Sequence, residues 1–319
     1  MEEVEKNWMM IFTGSSIPEL GKKIADNLGL EVGKVELSTF TDGEIYVRYS
    51  ESVRGAHVFL IQTCCHPVNY IIMETLIMVD ALKRASAKNI TAVIPYMGYS
   101  RQDRKARGRE PISAKLIADL LSTAGIDRMM TMDLHAGQIQ GFFDIPVDHL
   151  TAIPKIIDYI NEKNIEDLVI VSPDAGRVGV CRNVASRCNA DLAILYKSRP
   201  KPNVAETINI VGDVKNKNVF IVDDFIDTAG TVCESAKFMK KLGAKIIYTA
   251  CTHLVFSRPA YERLKNAPIE EIVVTDTMPI KEGLLGDKLV VLSIVDILSQ
   301  AIKNVFQNVS VSEIFKGRM

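Results

Sequence analysis

The chain lacks a charge bias. Thirty-eight lysines and arginines face 39 aspartates and glutamates, for a formal net charge of −1. So weak a global field argues against nucleic acid or an anionic membrane as a partner. It also lacks an apolar run of membrane-spanning length. The opening MEEVEKNWMM is acidic and polar, and reads as neither a secretory signal nor a basic transit peptide. The six cysteines, at 64, 65, 181, 188, 233 and 251, fall in no paired metal-ligand pattern. Several sit inside apolar runs, which fits reduced thiols in a cytoplasmic compartment rather than a disulfide framework. There is no Gly-x-x-x-x-Gly-Lys-Ser/Thr loop, which excludes P-loop chemistry. The protein-kinase motif set is missing too, as is any low-complexity tract.

What remains is an ordinary globular profile of 319 residues, 47% hydrophobic and 24% charged, long enough for two domains with separate cores. Short apolar runs alternate with helical patterns. The runs predict strands at 8–13, 57–62, 90–96, 128–132, 168–172, 192–196, 219–222, 245–250, 271–275 and 289–293. Helices are predicted at 17–28, 69–86, 113–123, 152–163, 232–242 and 295–306. Many strands are apolar throughout, as parallel strands covered on both faces are. The fold class is therefore α/β, with parallel-rich sheets flanked by helices and right-handed crossovers. Residues 36–48 break the rhythm and predict a polar hairpin turning at Asp42-Gly43. Pro146 and Pro154 flank a boundary, dividing the chain into domains 1–150 and 151–319 of similar rhythm.

The densest chemistry lies in IVDDFIDTAGT, residues 221–231. An apolar strand ends in Asp223 and Asp224. A turn of Asp227, Thr228, Ala229, Gly230 and Thr231 follows, and then a helix starts. Carboxylates at a strand end can accept from vicinal sugar hydroxyls. Small residues at a helix N-terminus offer backbone N–H groups to a phosphate, and the helix dipole favours its charge. Capping alone would not require two acids before the turn. Five further stretches carry polar groups at strand ends or turns. Asp133-Leu134-His135 could serve a metal or phosphate, although a lone histidine more often makes a structural hydrogen bond and magnesium prefers oxygen. Asp174 in SPDAG reads equally as a metal-binding carboxylate or as an Asx turn. The basic run 99–109, with Arg101 and Gln102, suits a nucleotide phosphate or a solvated face. Phe40, Asp42 and Glu44 suit a purine or a plain hairpin turn. Lys197, just before the proline-flanked SRPKPN stretch, and Arg199 within it suit a cationic lid or a surface loop.

Six segments in order raise a resemblance: FTDGEIYVRYSESVRG (40–55), IPYMGYSRQDRK (94–105), PISAKLIADLL (111–121), TMDLHAGQIQGFFDIPVDHL (131–150), VSPDAG (171–176) and VDDFIDTAGT (222–231). The chain resembles the ribose-phosphate pyrophosphokinases, or phosphoribosyl pyrophosphate synthetases, of the phosphate-regulated class, over nearly its whole length. The resemblance implies two phosphoribosyltransferase-like domains, with the C-terminal segment packing back on the first. It implies ATP and ribose 5-phosphate as substrates, Mg2+ as cofactor, and AMP and phosphoribosyl pyrophosphate as products. Carried over by position, Asp223 and Asp224 hold the ribose hydroxyls, and Asp227 to Thr231 hold the 5-phosphate. Arg101 and Gln102 contact ATP, while Phe40, Asp42 and Glu44 bind adenine from a neighbouring subunit. His135, Asp174 and Asp133 stand at the metal–ATP centre, with Asp144 and Asp148 in the same motif. Lys197 and Arg199 stabilise the transition state. A hexamer built from dimers is implied. So is an ADP- or phosphate-binding allosteric site at Ser50, Ser52, Arg54, Arg84, Ser86, Ser310, Ser312 and Phe315.

The pattern is not followed everywhere. Ser198 replaces a usual arginine, Arg177 and Arg258 stand where glycine is common, and Tyr70 stands where aspartate is common. Two other readings stay open at this point: a catalytically silent homologue, and a phosphoribosyltransferase that shares the acid-pair loop but uses no ATP.

Overall fold

Residues of a parallel strand alternate between two buried faces, so both faces must be apolar. Residues 219–222 do this: Val219 and Ile221 enter one core cluster, Phe220 and Val222 the other. The computed structural model, which describes residues 8–198 and 207–316, builds both halves of the chain on this principle.

In chain order the first half comprises β1 (Met9–Thr13), α1 (Pro18–Asn27), β2 (Val35–Thr39), β3 (Ile45–Tyr49), β4 (His57–Ile61), α2 (Val68–Arg84), β5 (Asn89–Val93), α3 (Ser113–Ala124), β6 (Arg128–Met132) and β7 (Val147–Leu150). The second comprises α4 (Ile153–Glu162), β8 (Leu168–Ser172), α5 (Val178–Arg187), β9 (Asp191–Ser198), β10 (Thr207–Val211), β11 (Asn218–Ile226), α6 (Gly230–Lys241), β12 (Ile247–Leu254), α7 (Ala260–Asn266), β13 (Glu271–Thr275) and β14 (Leu289–Leu292). Helix α8 (Val295–Phe306) closes the series. Two compact units result: residues 8–151, 277–279 and 294–316 form unit 1, and residues 152–276 and 280–293 form unit 2.

The unit 1 sheet is parallel throughout, in the order β1-β4-β5-β6-β7. Val32 makes a parallel bridge to Ile11, so the chain first passes beyond β1 before returning to β4. Right-handed crossovers then put α1 on one face and α2 and α3 on the other. The contacts agree, pairing α1 with α8 and α2 with α3. Strands β2 and β3 form the expected antiparallel hairpin. It leans on α2, where Tyr49 Oη donates to the Met78 carbonyl at 3.1 Å. The unit 2 sheet runs β10-β9-β8-β11-β12-β13-β14, parallel except for β10 at its edge.

Three differences from the sequence reading have physical causes. Strand β11 does not stop at Val222 but runs on through the acid pair to Ile226, because β12 keeps pairing with it up to Ile226↔Leu254. Helices α5 and α7 were not expected. VGVCRNVASR contains glycine and three valines, all poor helix formers, and α5 forms against β8 and β9. Seven-residue α7 is too short for a clear period. Strands β7 and β10 lie at sheet edges, where fewer apolar residues are needed.

Packing of α1 on β1 is close. Gly21 is buried mid-helix, and a Cβ there would lie 1.9 Å from Thr13 Cγ2. In an open helix, glycine to alanine stabilises by roughly 1 kcal/mol. Here overpacking should reverse the sign. Gly21→Ala is expected to destabilise the protein by about 1–3 kcal/mol in denaturant or thermal melts; a stabilised variant would show that α1 can move off β1.

Candidate active site

In open α/β sheets, ligands bind at the carboxyl ends of strands, where the strand order reverses direction. In unit 2 that point lies between β8, from which the chain turns toward β9, and β11, from which it turns toward β12. Pairing of β11 with β8 ends at Ile221↔Val171. Beyond it Asp223 and Asp224 have β12 on one side and no β8 on the other, which leaves a crevice beside them.

Asp224 is 3% exposed, while Asp223 keeps 22% of its side chain exposed. Asp223 Oδ1 accepts from the Asp224 N–H at 2.9 Å, and Asp224 Oδ1 accepts from the Phe225 N–H at 3.1 Å. Burial, and then the adjacent Asp224 carboxyl, push the Asp223 carboxyl well above the ordinary carboxylate range; Arg177 pulls it the other way. Arg177 Nε lies 3.9 Å from Asp223 Oδ1, and is buried without a hydrogen-bond partner. The residue noted as a departure thus supplies a cation beside the acid pair. Across the crevice mouth, Asp174 Oδ1 accepts from the N–H groups of Gly176 at 2.8 Å and Arg177 at 3.1 Å. This is the Asx turn, and Oδ2 takes no part in it. Asp174 is exposed, so the turn orients a carboxylate without consuming it.

After β11, Asp227 is half-buried and Thr228 exposed, and Ala229 takes a left-handed φ of 59° as N-cap of α6. Gly230 and Thr231 open α6 with no side-chain cap, so its first N–H groups are approachable by an anion. Lys197 lies in β9 opposite Ile208, and Arg199 falls outside the described residues.

Unit 1 has its own strand-order reversal, between β1 and β4, but side chains fill it. Glu74 on α2, fully buried, accepts from the Ser15 N–H at 2.8 Å, from the Ser15 hydroxyl at 2.8 Å and from Gln62 Nε2 at 2.6 Å. Gln62 Oε1 in turn accepts from the Ser16 N–H at 3.1 Å. A Cβ on Gly14 would lie 2.3 Å from Gln62 Nε2, so that position needs glycine. The polar groups of this crevice satisfy one another.

An open cleft of about 400 Å³ in unit 1 is lined by Arg101, Asp103, Arg104, Ala106, His135, Ala136 and Gln138. It brings together the basic run and the Asp133-Leu134-His135 turn. Gln138 Nε2 donates to Asp103 Oδ2 at 2.8 Å along its wall. Gln102 does not line it; its Oε1 accepts from Ser113 Oγ at 2.6 Å and ties the loop to α3. Asp133 sits at φ 37°, and the turn it opens is held by His149, whose Nε2 accepts from the Leu134 N–H at 2.9 Å. Burial lowers the His149 pKa, which keeps that nitrogen an acceptor. His149 is the residue sequence reading passed over; its place in β7, register-paired with Thr131 of β6, is visible only in the sheet. Asp148 is bound to Arg128 at 2.9 Å and Asp144 is exposed.

Phe40, Asp42 and Glu44 lie apart from this cleft, on the hairpin tip. Phe40 is 54% exposed. Asp42 Oδ1 accepts from the Glu44 N–H at 3.1 Å, shaping the turn. Tyr70, another departure, hydrogen-bonds Thr39 beside the hairpin tip at 2.9 Å. Among the residues expected at an effector site, Ser86 accepts from the Gly55 N–H at 2.9 Å, which joins the 50–55 turn to the end of α2. Arg84 pairs with Asp80 at 2.7 Å. Ser310 and Ser312 hydrogen-bond each other after α8, beside buried Phe315.

Among the described residues, no group of three or more His, Cys, Asp or Glu forms a metal cage. Among the same residues, no helix is long and apolar enough to cross a membrane.

Comparison with known proteins agrees across the chain. Residues 9–125 match the model of the N-terminal domain of ribose phosphate pyrophosphokinase, and residues 174–316 match the phosphoribosyl synthetase-associated domain. A ribose-phosphate pyrophosphokinase of Caldanaerobacter subterraneus subsp. tengcongensis is 54% identical over 310 residues, 97% of this chain and 98% of its own. That of Clostridium perfringens is 52% identical, covering 99% and 100%. The crystal structure of phosphoribosylpyrophosphate synthetase from Mycobacterium smegmatis superposes with a TM-score of 0.90 at 46% identity, covering 95% of this chain and all of that one. Matching architecture and near-full-length identity lead to one conclusion: the chain belongs to the ribose-phosphate pyrophosphokinase family.

Proposed function

We propose that this enzyme transfers the β,γ-pyrophosphoryl group of ATP to the anomeric hydroxyl of ribose 5-phosphate, giving phosphoribosyl pyrophosphate and AMP. The observation that carries this reading is the acid pair at the strand-order reversal of unit 2, followed directly by the uncapped start of α6. A sugar with vicinal hydroxyls at one end and a phosphate at the other suits that sequence of groups.

The roles divide between the units. Asp223 and Asp224 accept from the ribose hydroxyls. Residues 227–231 cradle the 5-phosphate through backbone N–H groups and the two threonine hydroxyls. Arg101 binds ATP phosphate oxygens in the unit 1 cleft, and Gln102 supports it by tying the loop to α3. Phe40, Asp42 and Glu44 offer an adenine contact on a hairpin exposed for a neighbouring subunit. The residues that would offer donors to Mg2+ are His135 and Asp133 in unit 1 and Asp174 in unit 2, and the ion would supply charge to offset that of the ATP phosphates. The sugar oxygen attacks the β-phosphorus. The bond from that phosphorus to the oxygen shared with the α-phosphate breaks, AMP leaves with that oxygen, and the hydroxyl proton passes to solvent. Positioning and charge stabilisation suffice for such an in-line transfer. Lys197 and Arg199 provide the cationic part, and no covalent enzyme intermediate forms. Family membership supports a cytoplasmic hexamer regulated by ADP or phosphate, the effector site drawing on Ser50, Ser52, Arg54, Arg84, Ser86, Ser310, Ser312 and Phe315.

The direct test is AMP formation from ATP, ribose 5-phosphate and magnesium by folded protein. Product that depends on both substrates is expected, and its absence would exclude the synthetase reading. Lys197→Ala should lower kcat by two or more orders of magnitude with little change in ATP affinity; weakened binding with kcat retained would remove Lys197 from the transition state.

Asp223 offers a test with a worked sign. Its folded-state pKa is raised, so the stability it contributes is present in acid and lost as pH rises through that value. Asp223→Asn should therefore melt higher than the parent at neutral pH, with the gap closing in acid. Losing the charged acceptor should also raise the KM for ribose 5-phosphate roughly ten- to a hundredfold. A variant less stable at neutral pH would contradict the origin of the shift.

A further inference from the structure

The loop proposed to hold the 5-phosphate contains a conformation that needs outside support. Ala229 lies at φ 59°, ψ 14°. A left-handed alanine crowds its Cβ against the following carbonyl, and persists only where its surroundings impose it. One support comes from α7. Arg263 Nη1 donates to the Thr228 carbonyl at 2.9 Å. The same nitrogen lies against the next residue but one, since a Cβ on Gly230 would meet it at 3.2 Å. A single guanidinium thus flanks Ala229, bonded to the carbonyl before it and lying where a side chain on the residue after it would begin.

Helix α7 is itself anchored. Ala260 and Leu264 are fully buried in the unit 2 core. Lys288 Nζ reaches the carbonyls of Leu264 at 3.4 Å, Lys265 at 3.3 Å and Ala267 at 3.2 Å, closing the helix C-terminus. The Arg263 contact is therefore made from a fixed platform.

The consequence follows from peptide geometry. The Thr228 carbonyl and the Ala229 N–H belong to one planar trans peptide and point in opposite directions. Holding the carbonyl toward α7 turns the N–H away from it, to the side where an anion at the start of α6 would sit. Arginine adds a positive charge behind the same peptide, and no more than one of its five N–H donors is needed for the carbonyl.

We propose that Arg263 is a positioning residue for the phosphate loop, acting through the Thr228–Ala229 peptide to aim its N–H at the 5-phosphate of the sugar substrate. This inference rests on the ribose 5-phosphate reading of unit 2. Arg263 was not recognisable from sequence, because it stands 33 residues beyond the start of α6, in a helix that contains other polar side chains.

The test is steady-state kinetics and calorimetric binding of ribose 5-phosphate to the full chain, with Arg263→Met and Arg263→Lys. In Arg263→Met the KM and Kd for ribose 5-phosphate should rise roughly ten- to a hundredfold, the range for a lost charge-assisted hydrogen bond. The KM for ATP and kcat at saturation should stay within about twofold, since nothing at the nucleotide cleft changes. Arg263→Lys, with one donor and the charge retained, should fall between Met and parent. A ribose 5-phosphate KM within twofold of the parent in Arg263→Met, or a parallel rise for ATP, overturns the inference. If Arg263→Met does not fold, Arg263→Lys decides: it must raise the ribose 5-phosphate KM alone, and a parental value there overturns the inference. Parent protein that fails to bind ribose 5-phosphate overturns the functional reading and this inference with it. Parent that binds normally, with Arg263→Met unaffected, overturns this inference alone.

Discussion

The site in unit 2 depends on one strand outlasting its neighbour. Strands β8 and β11 pair in parallel only as far as Val171 and Ile221, while β11 continues beside β12 to Ile226. Inside the paired region, burial on both faces demands valine, isoleucine and phenylalanine. Just past it, one side of the strand opens, and carboxylates replace apolar residues. The same sheet that excludes water from Phe220 delivers Asp223 to the crevice edge three residues later. Rigid strands place these groups more accurately than a loop would.

The two units treat the same topological feature in opposite ways. In unit 1, the crevice between β1 and β4 is closed by Glu74, Gln62, Ser15 and Ser16, which satisfy each other's hydrogen bonds. A buried carboxylate is costly unless fully hydrogen-bonded, and here three donors converge on it. Unit 1 instead opens a cleft between the basic run and the turn after β6. In unit 2, Arg177 Nε and the Asp223 carboxyl stay unpaired by hydrogen bonds to each other, at 3.9 Å. Polar groups left short of partners in this way are suited to a ligand, and cost stability until one binds.

Much of the site was legible because its chemistry is local. Asp-Thr-Ala-Gly-Thr before a helix is a contiguous device, so residues 227–231 could be proposed for a phosphate from order alone. The hairpin was legible for the same reason: Asp42-Gly43 sits between two alternating stretches, and Gly43 adopts φ 97°. Arg177 was visible only as an oddity. Its proximity to Asp223 spans 46 positions and needs the β8–β11 pairing to exist. His149 and Arg263 were not visible, since each works through a backbone group of a distant segment, and no side-chain pattern marks a carbonyl or an N–H.

By itself, then, the chain determined its α/β class and most strand and helix positions, and it marked the acid pair and the small-residue turn before α6, because apolar period and contiguous turns are properties of neighbouring residues. Only the tertiary structure decided that β11 carries its acids inside a strand, that the unit 1 crevice is closed, and that α5 and α7 are helices at all. It also decided that His149 and Arg263 hold the turns after β6 and β11 in place. Those outcomes depend on which strand ends first and which backbone groups meet across the sheet, and both are set by packing between segments far apart in the chain.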